Sequence, residues 1–492
     1  MVMLLIALSA GLLCFYLKLP YRLYNSDIYH QLAVLKEFTN TPHIQDAYFA
    51  SGPADLHAGP YYFCIYLFSS VIGISLYSSL IFFAVINIVF IALSLYFLAK
   101  SFKFTNLESS ILLIVSFLGW GSFNFFFAGI YEFTNLLVTA SFPAAIGLSC
   151  IFLILGLTKR YLNRPSGNLI ALIFILNTTL FISHILSGVV LIPLLGLLVL
   201  EELVRRRRLT KDLVLYGLAL LGSILLTIFI WPPFGLLDLV SQSKTVEVGT
   251  SDKVTQNYFV VSQWPYLLGI TFIGIIFIPY LMRNKRLHIV LMLAFSAFMT
   301  ASYLYPVRVS LYWRYFPLLF LGVSLAFVIG LKTLSKTIAV FLITLLAVLG
   351  IYNVRSRVNS LTSQGLTTSN QYIQIAEDIP DQAIVFSDPN TSYHLAALYP
   401  FRVVAIPYNH ANPAYIPQSK QRYQEANTLL NGEGDQQSFF DKYDVEYVVI
   451  NRKYYPDFIL LDPNKSKADK FILKVPSTKL KTVNNMELYR LQ

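Results

Sequence analysis

Charge is what this sequence has least of. Of its 492 residues only 13% are Asp, Glu, Lys or Arg, while 56% are hydrophobic. An ordinary soluble domain carries about 25% charged residues, and a soluble chain with so few could not cover its surface. Cysteine is nearly as scarce. Cys14, Cys64 and Cys150 all lie in apolar stretches, without the spacing of a metal site. The C-terminal region has neither G-x-G-x-x-G nor G-x-x-x-x-G-K-[ST], so it carries no nucleotide-binding fingerprint. No internal repeat marks an inverted-repeat transporter. The net charge of +11 would point to nucleic acid in a soluble chain. Here most basic residues punctuate the ends of apolar runs, which points to a membrane instead.

Those runs dominate what is present. Repeated apolar stretches of about 17–21 residues define a mainly α-helical, multi-pass membrane protein. About eleven spans are expected, over 1–17, 79–99, 110–128, 143–158, 168–184, 187–201, 213–231, 263–282, 288–304, 315–331 and 337–353. The first lacks the positive n-region and cleavage site of a signal peptide, and is read as a membrane helix. The run Tyr61–Leu76 is excluded from the count by charge. Without it, one side holds fifteen basic residues: Lys100, Lys103, Lys159, Arg160, Arg164, Arg205 to Arg208, Lys211, Arg283, Lys285, Arg286, Lys332 and Lys336. Counting it would invert everything after it. The positive-inside rule therefore predicts an interfacial helix near 61–76 inside a first outer loop, 18–78. The N-terminus is then cytoplasmic, and the loops near 129–142, 185–187, 232–262 and 305–313 face out.

From about Ser360 the composition becomes that of a soluble domain. Strands are expected at 383–388, 402–407 and 445–451, with helices at 390–398, 419–430 and 436–443. Phe471–Val475 and Met486–Leu491 read as edge strands. Strand–helix alternation implies an extracytoplasmic α/β domain, 360–492, after a transmembrane domain, 1–355.

The candidate chemistry lies on the outer side. Asn25-Ser26-Asp27-Ile28-Tyr29-His30 puts a carboxylate and an imidazole three residues apart, on one face of a helix turn. Glu37 lies further along the same helix. The loop returns with Ala54-Asp55-Leu56-His57-Ala58-Gly59-Pro60-Tyr61-Tyr62. A partly desolvated carboxylate among aromatic groups is suited to taking a proton from a hydroxyl. Asp27 is the first candidate base and Asp55 the alternative. Asp55 and His57 have two further readings, orienting a substrate or binding a divalent cation; no other metal site or cofactor is expected. Glu132, alone among charged residues in its loop, reads equally as structural or functional. His184, in Ser183-His184-Ile185-Leu186-Ser187-Gly188, is either a turn residue bonded to backbone or part of the same cavity. Arg308 and Arg314 break the positive-inside pattern. They fit a lipid phosphate, whose oxygens match a guanidinium fork, or snorkel to headgroups. Asp388 and the stretch Tyr408–Pro413 come after strands, where turns and ligand sites both occur.

Taken in order, these features resemble the GT-C superfamily of polytopic glycosyltransferases. The set is the acidic first loop at Asp27, the His57-to-Tyr62 entry to a juxtamembrane helix, His184 at an outer turn, the late arginines and the C-terminal α/β domain. It is most similar to prokaryotic members related to the protein-mannosyltransferase and aminoarabinose-transferase group. The resemblance implies a plasma-membrane enzyme that transfers a hexosyl or pentosyl group from a polyprenyl-phosphate carrier, with inversion, to a glycan, lipid or protein acceptor. It assigns Asp27 the base. His30 and His57 would assist, Arg308 and Arg314 would hold the donor phosphate, and Tyr29, Glu132 and His184 would line the cavity. Many relatives carry two adjacent acids in the first loop, where this chain has Ser26-Asp27-Ile28. A polysaccharide polymerase or ligase, or a lipid-linked sugar transporter or flippase, is the alternative. The transporter predicts ionisable groups or broken helices at mid-membrane, and these spans are nearly free of ionisable groups.

Overall fold

A computed structural model describes Gly11 and residues 26–40, 46–50, 52, 59–121, 130–230, 269–284, 286–304, 315–364, 368–411, 416–452 and 471–492. They gather into two compact units. One holds the apolar helices. The other joins α1 (Ser26–Asn40) and α2 (Pro60–Ile72) to the residues after 362.

The apolar unit tracks the hydrophobic runs closely. Its helices are α3 (Leu76–Ser101), α4 (Asn106–Leu118), α5 (Phe133–Thr139), α6 (Pro143–Asn163), α7 (Gly167–Ser183), α8 (Ile185–Arg206), α9 (Lys211–Ile230), α10 (Ile278–Arg283), α11 (Leu287–Leu304), α12 (Phe316–Gly330) and α13 (Lys336–Gln364). Local signals set several starts. Thr105 and Glu108 form a reciprocal capping box at α4, with N–O distances of 2.8 and 3.2 Å. Proline opens α6, where its missing N–H costs nothing. Among the described residues, six helices are long and apolar enough to cross a membrane. Helix α9 exposes Leu215, Leu218, Leu221, Leu225 and Phe229, and α13 exposes Ile338, Phe341, Val348 and Ile351. Rows of this kind on the surface of a water-soluble protein would be aggregation sites; on membrane helices they are the lipid contact. The expected span at 1–17 lies outside the described residues, apart from Gly11.

Three expectations change in detail. The run at 263–282 is not one α-helix. Its described part is a 3-10 helix, Ile270–Phe277, leading into α10. Pro279 has no N–H to offer the carbonyl of Ile275, so the α ladder cannot run through. The glycines at the contact also let backbones meet. A side chain on Gly274 would collide with the Val323 carbonyl, and one on Gly330 with the Phe277 ring. Next, the stretch 129–142 is not a plain surface loop. It contains α5, and nearly every described residue from Ile130 to Phe142 is buried. Its polar groups are satisfied internally. Asn135 Nδ2 donates to Ile130 O (2.8 Å), and Asn87 Nδ2 donates to Ala140 O (2.7 Å). Last, α2 stops at Ile72 because Gly73 adopts the left-handed conformation (φ 75°) and bonds back to Ser69 O at 2.9 Å.

The second unit carries a five-stranded sheet in the order β2-β1-β3-β5-β4. The strands are β1 (Ile384–Phe386), β2 (Arg402–Val403), β3 (Tyr447–Asn451), β4 (Ser477–Val483) and β5 (Met486–Leu491). The pairs β1–β2 and β1–β3 are parallel, and β3–β5 and β4–β5 antiparallel. Helix α14 (Thr368–Ala376) precedes β1, α15 (Pro389–Leu398) links β1 to β2, and α16 (Ile416–Leu430) and α17 (Gln436–Lys442) lie before β3. Phe386, Val404, Leu429, Phe439, Phe440, Val448 and Ile450 form the core. Phe471–Val475, expected as an edge strand, is not in the ladder. Gln436 bonds Ile472 O and Lys474 N, both at 2.8 Å, and Arg452 bonds Phe471 O at 2.6 Å, so side chains hold that backbone.

Candidate active site

Helix α1 begins at Ser26, so Asp27 stands in its first turn. Unpaired N–H groups at that end favour an anion. The Asp27 side chain lies outside the described residues. The next two turns of α1 are buried almost all round: Ile28, Tyr29, His30, Gln31, Leu32, Ala33, Val34 and Leu35 have little contact with solvent. A helix buried on every side needs partners on every side. In this unit α15, α2 and the segment 46–49 supply them.

Two of the expected site residues, Tyr29 and His30, meet in an aromatic and imidazole cluster. The Tyr29 ring lies edge-on to His394, with centroids 4.2 Å apart. His394 also stacks on Tyr372 at 5.1 Å, and its Nδ1–H donates to Asn390 O at 2.7 Å. His30 Nδ1 shares a hydrogen bond with Tyr48 Oη at 3.0 Å. Tyr48 stacks on Tyr393 at 5.5 Å, and Tyr393 packs on His410 at 5.2 Å. The sequence reading missed Tyr48, Tyr393 and His394. The pair Tyr393-His394 inside an otherwise ordinary helix was the available signal.

Charge fixes the far end of α1. Arg402 on β2 donates to Glu37 through Nη1 (2.7 Å to Oε1) and Nη2 (3.1 Å to Oε2), and Nη1 also reaches Asp46 O at 2.7 Å. Both side chains are buried, at 5% and 3% exposure. Asp46 Oδ1 accepts from Tyr48 N (2.9 Å) and Phe49 N (3.1 Å), forming the turn that brings Tyr48 O to Val403 N at 2.8 Å. Lys36 Nζ donates to Ala396 O at 3.3 Å. Burial holds the Lys36 ammonium well below its usual range, although Glu37 and Asp381 pull it upward.

Two other expected residues belong to the apolar unit and act there as helix caps. Glu132 is buried, and its Oε2 accepts from Asn135 N at 2.8 Å at the start of α5. His184 sits between α7 and α8, and its Nδ1 accepts from Ser187 N at 3.3 Å and contacts Ser187 Oγ at 2.7 Å. Accepting a backbone N–H at Nδ1 leaves the proton of the neutral ring on Nε2. Asp55, His57, Arg308 and Arg314 lie outside the described residues. Among the described residues, no group of three or more His, Cys, Asp or Glu would hold a metal ion.

The fold is shared with solved membrane enzymes. An oligosaccharyltransferase of Archaeoglobus fulgidus matches with a TM-score of 0.59 and 13% identity, over 92% of this chain and 69% of that one. ArnT of Cupriavidus metallidurans, in a structure bound to undecaprenyl phosphate, matches at 0.58 and 13%, over 99% and 97%. The arabinofuranosyltransferase AftD from Mycobacteria matches at 0.52 and 11%, over 95% of this chain and 40% of that one. No family model matches the sequence, and neither does any curated protein. The chain therefore has the GT-C fold, the fold of polytopic membrane glycosyltransferases. Identities this low carry the architecture, not the substrate.

Proposed function

We propose that this protein is a membrane glycosyltransferase that moves a sugar from a polyprenyl-phosphate carrier to an acceptor on the outer face of the plasma membrane. The observation that carries the reading is the shared fold over 99% of this chain and 97% of ArnT, whose structure holds a polyprenyl phosphate. The charge pattern supports about eleven spans, a cytoplasmic N-terminus, a first outer loop 18–78 and an extracytoplasmic domain from 360. In this reading the chain spans the bilayer so that Asp27, Asp55, His57, His184, Arg308 and Arg314 share one side.

The step needs one base. An acceptor hydroxyl attacks the anomeric carbon, and Asp27 takes the hydroxyl proton. The bond from that carbon to the carrier phosphate oxygen breaks, and its electron pair leaves with the phosphate. Arg308 and Arg314 hold that phosphate and stabilise the charge it gains. The leaving group needs no proton, so a single carboxylate suffices, and in-line attack inverts the anomeric centre. Asp27 stands in the first turn of α1, an end of the helix that favours an anion. Tyr29 and His30 position it by seating α1. Asp55 is the alternative base, and with His57 it would be the place for a divalent cation if one is used.

The test is transfer from a panel of radiolabelled polyprenyl-phosphate hexoses and pentoses by purified protein. Asp27→Asn should lower the rate by roughly 10²–10⁴-fold. Equal rates in wild type and Asp27→Asn would remove Asp27 from this role. Loss in Asp55→Asn instead would transfer the role to Asp55.

A further inference from the structure

The second unit also holds a groove that the proposed transfer step does not use. It lies along one face of α16, where Lys420, Tyr423, Gln424, Asn427 and Thr428 recur at the spacing of a helical stripe, and Asn431 follows just past its end. Tyr408, from the short 3-10 turn Tyr408–His410, closes the other side. The groove is open to solvent, with Tyr423 buried and Lys420, Gln424, Thr428 and Asn431 exposed; it offers about 300 Å³, the lower end of the range of about 300–1,000 Å³ typical of small-molecule sites. The Tyr408 and Tyr423 rings meet edge to face, 5.6 Å between centroids at 75°.

We infer that this groove is a glycan-binding subsite that takes the acceptor chain, one to two sugar rings at a time. The inference rests on the glycosyltransferase reading for the word acceptor. Its chemistry comes from the lining. Amide side chains from Gln424, Asn427 and Asn431 offer donors and acceptors together, and so does the Thr428 hydroxyl. Sugar hydroxyls do the same, so each can be met twice. A half-buried tyrosine at the wall gives the apolar face of a sugar ring something to stack on. Other ligands fit worse. Among the described residues no carboxylate lines the groove, so a metal ion would find no anionic ligand among them. Among the described residues no aliphatic side chain lines it, so they offer a lipid tail or apolar peptide anchor no seat. One lysine is too little charge for a nucleic acid. The one acid of α16, Glu425, is turned away, bonded to Lys442 Nζ at 2.7 Å and to Tyr443 Oη at 2.6 Å.

The test uses the full chain in lipid nanodiscs and saturation-transfer NMR. The probes are mannotetraose, arabinotetraose and isomaltotetraose, with the peptide Ala-Asn-Ala-Thr as a competitor class. At least one tetrasaccharide should bind. Gln424→Ala and Asn427→Ala should each weaken it by about threefold to tenfold, the worth of a hydrogen bond or two. Both positions keep some contact with solvent, so the unit should still fold, and Asp27→Asn should bind the sugar as wild type does. With an oligosaccharide acceptor the Gln424→Ala variant should raise KM and leave kcat unchanged. Binding of no tetrasaccharide, binding unaffected by either alanine, or preferential binding of the peptide would each overturn the inference. Transfer that persists with an unchanged KM in Gln424→Ala would overturn it while leaving the proposed function standing. Alanine-sensitive sugar binding with no transfer from any donor would keep a glycan site and remove the transferase.

Discussion

Removing Arg402 alone should open the second unit locally, and removing both members of its ion pair should do so far less. Arg402→Met leaves the Glu37 carboxylate buried at 3% exposure without either of its two guanidinium hydrogen bonds. It also takes the donor from Asp46 O. An exposed pair is worth about 0–1 kcal/mol, but stranding one buried charge costs about 3–5 kcal/mol. Glu37→Met with Arg402→Met removes both charges of the pair, leaving Asp381 as the remaining carboxylate that favours the Lys36 ammonium. It leaves only the Asp46 carbonyl short of a donor, about 1–3 kcal/mol. Hydrogen exchange detected by mass spectrometry reads this on peptides from α1 and β2. Protection in α1 should fall by roughly two to nearly four decades in the single variant, since about 1.4 kcal/mol is tenfold. The double variant should recover at least one decade. The reasoning fails if the single and double variants exchange alike, or if Arg402→Met changes protection by less than about fivefold, as for a surface pair.

The same geometry makes two further outcomes testable. The Lys36 ammonium is disfavoured in the folded unit. In the window below its unfolded value of 10.5, the unfolded chain therefore binds more protons than the folded one. Stability must rise with pH there; Lys36→Met should lose that rise, seen as the difference between the two proteins in unfolding midpoint against pH. In the apolar unit, Gly147→Ala would bring a Cβ within 2.7 Å of Ser187 Oγ and 3.1 Å of its Cβ. That should cost about 1–3 kcal/mol and lower the thermal midpoint, and pairing it with Ser187→Gly should restore part of the loss.

Much of the helical architecture was legible because it rests on local signals. Apolar runs with basic ends mark α3, α6, α8 and α9 within a few residues, whereas Gly73, which ends α2, lies inside the run expected to continue to 76. The break at Pro279 was written in the sequence too, but a strongly apolar run outweighed one proline. Helix α5 was missed because seven residues of Phe133–Thr139 carry too few periods to declare themselves. Its stability comes from Glu132, Asn135 and Asn87 bonding around it. The site divides the same way. His184 was readable as a turn residue held by backbone, and Asp27 as the start of a helix. The Glu37–Arg402 pair and the His30–Tyr48–Tyr393 contacts join residues far apart in the chain. No local pattern encodes such distances, so only the fold reveals them.

The tie between Glu37 and Arg402 spans 365 residues, and this has a consequence in time. At about 5–20 residues per second of synthesis, helix α1 exists for roughly 20–70 s before β2 is made. Through that interval it has no α15 to lie against and its glutamate no Arg402. A segment made before nearly all of the chain's apolar helices is thus among the last to finish folding. A chain interrupted before Arg402 would carry an exposed, unmatched α1, a ready mark by which cellular quality control tells an unfinished protein from a complete one.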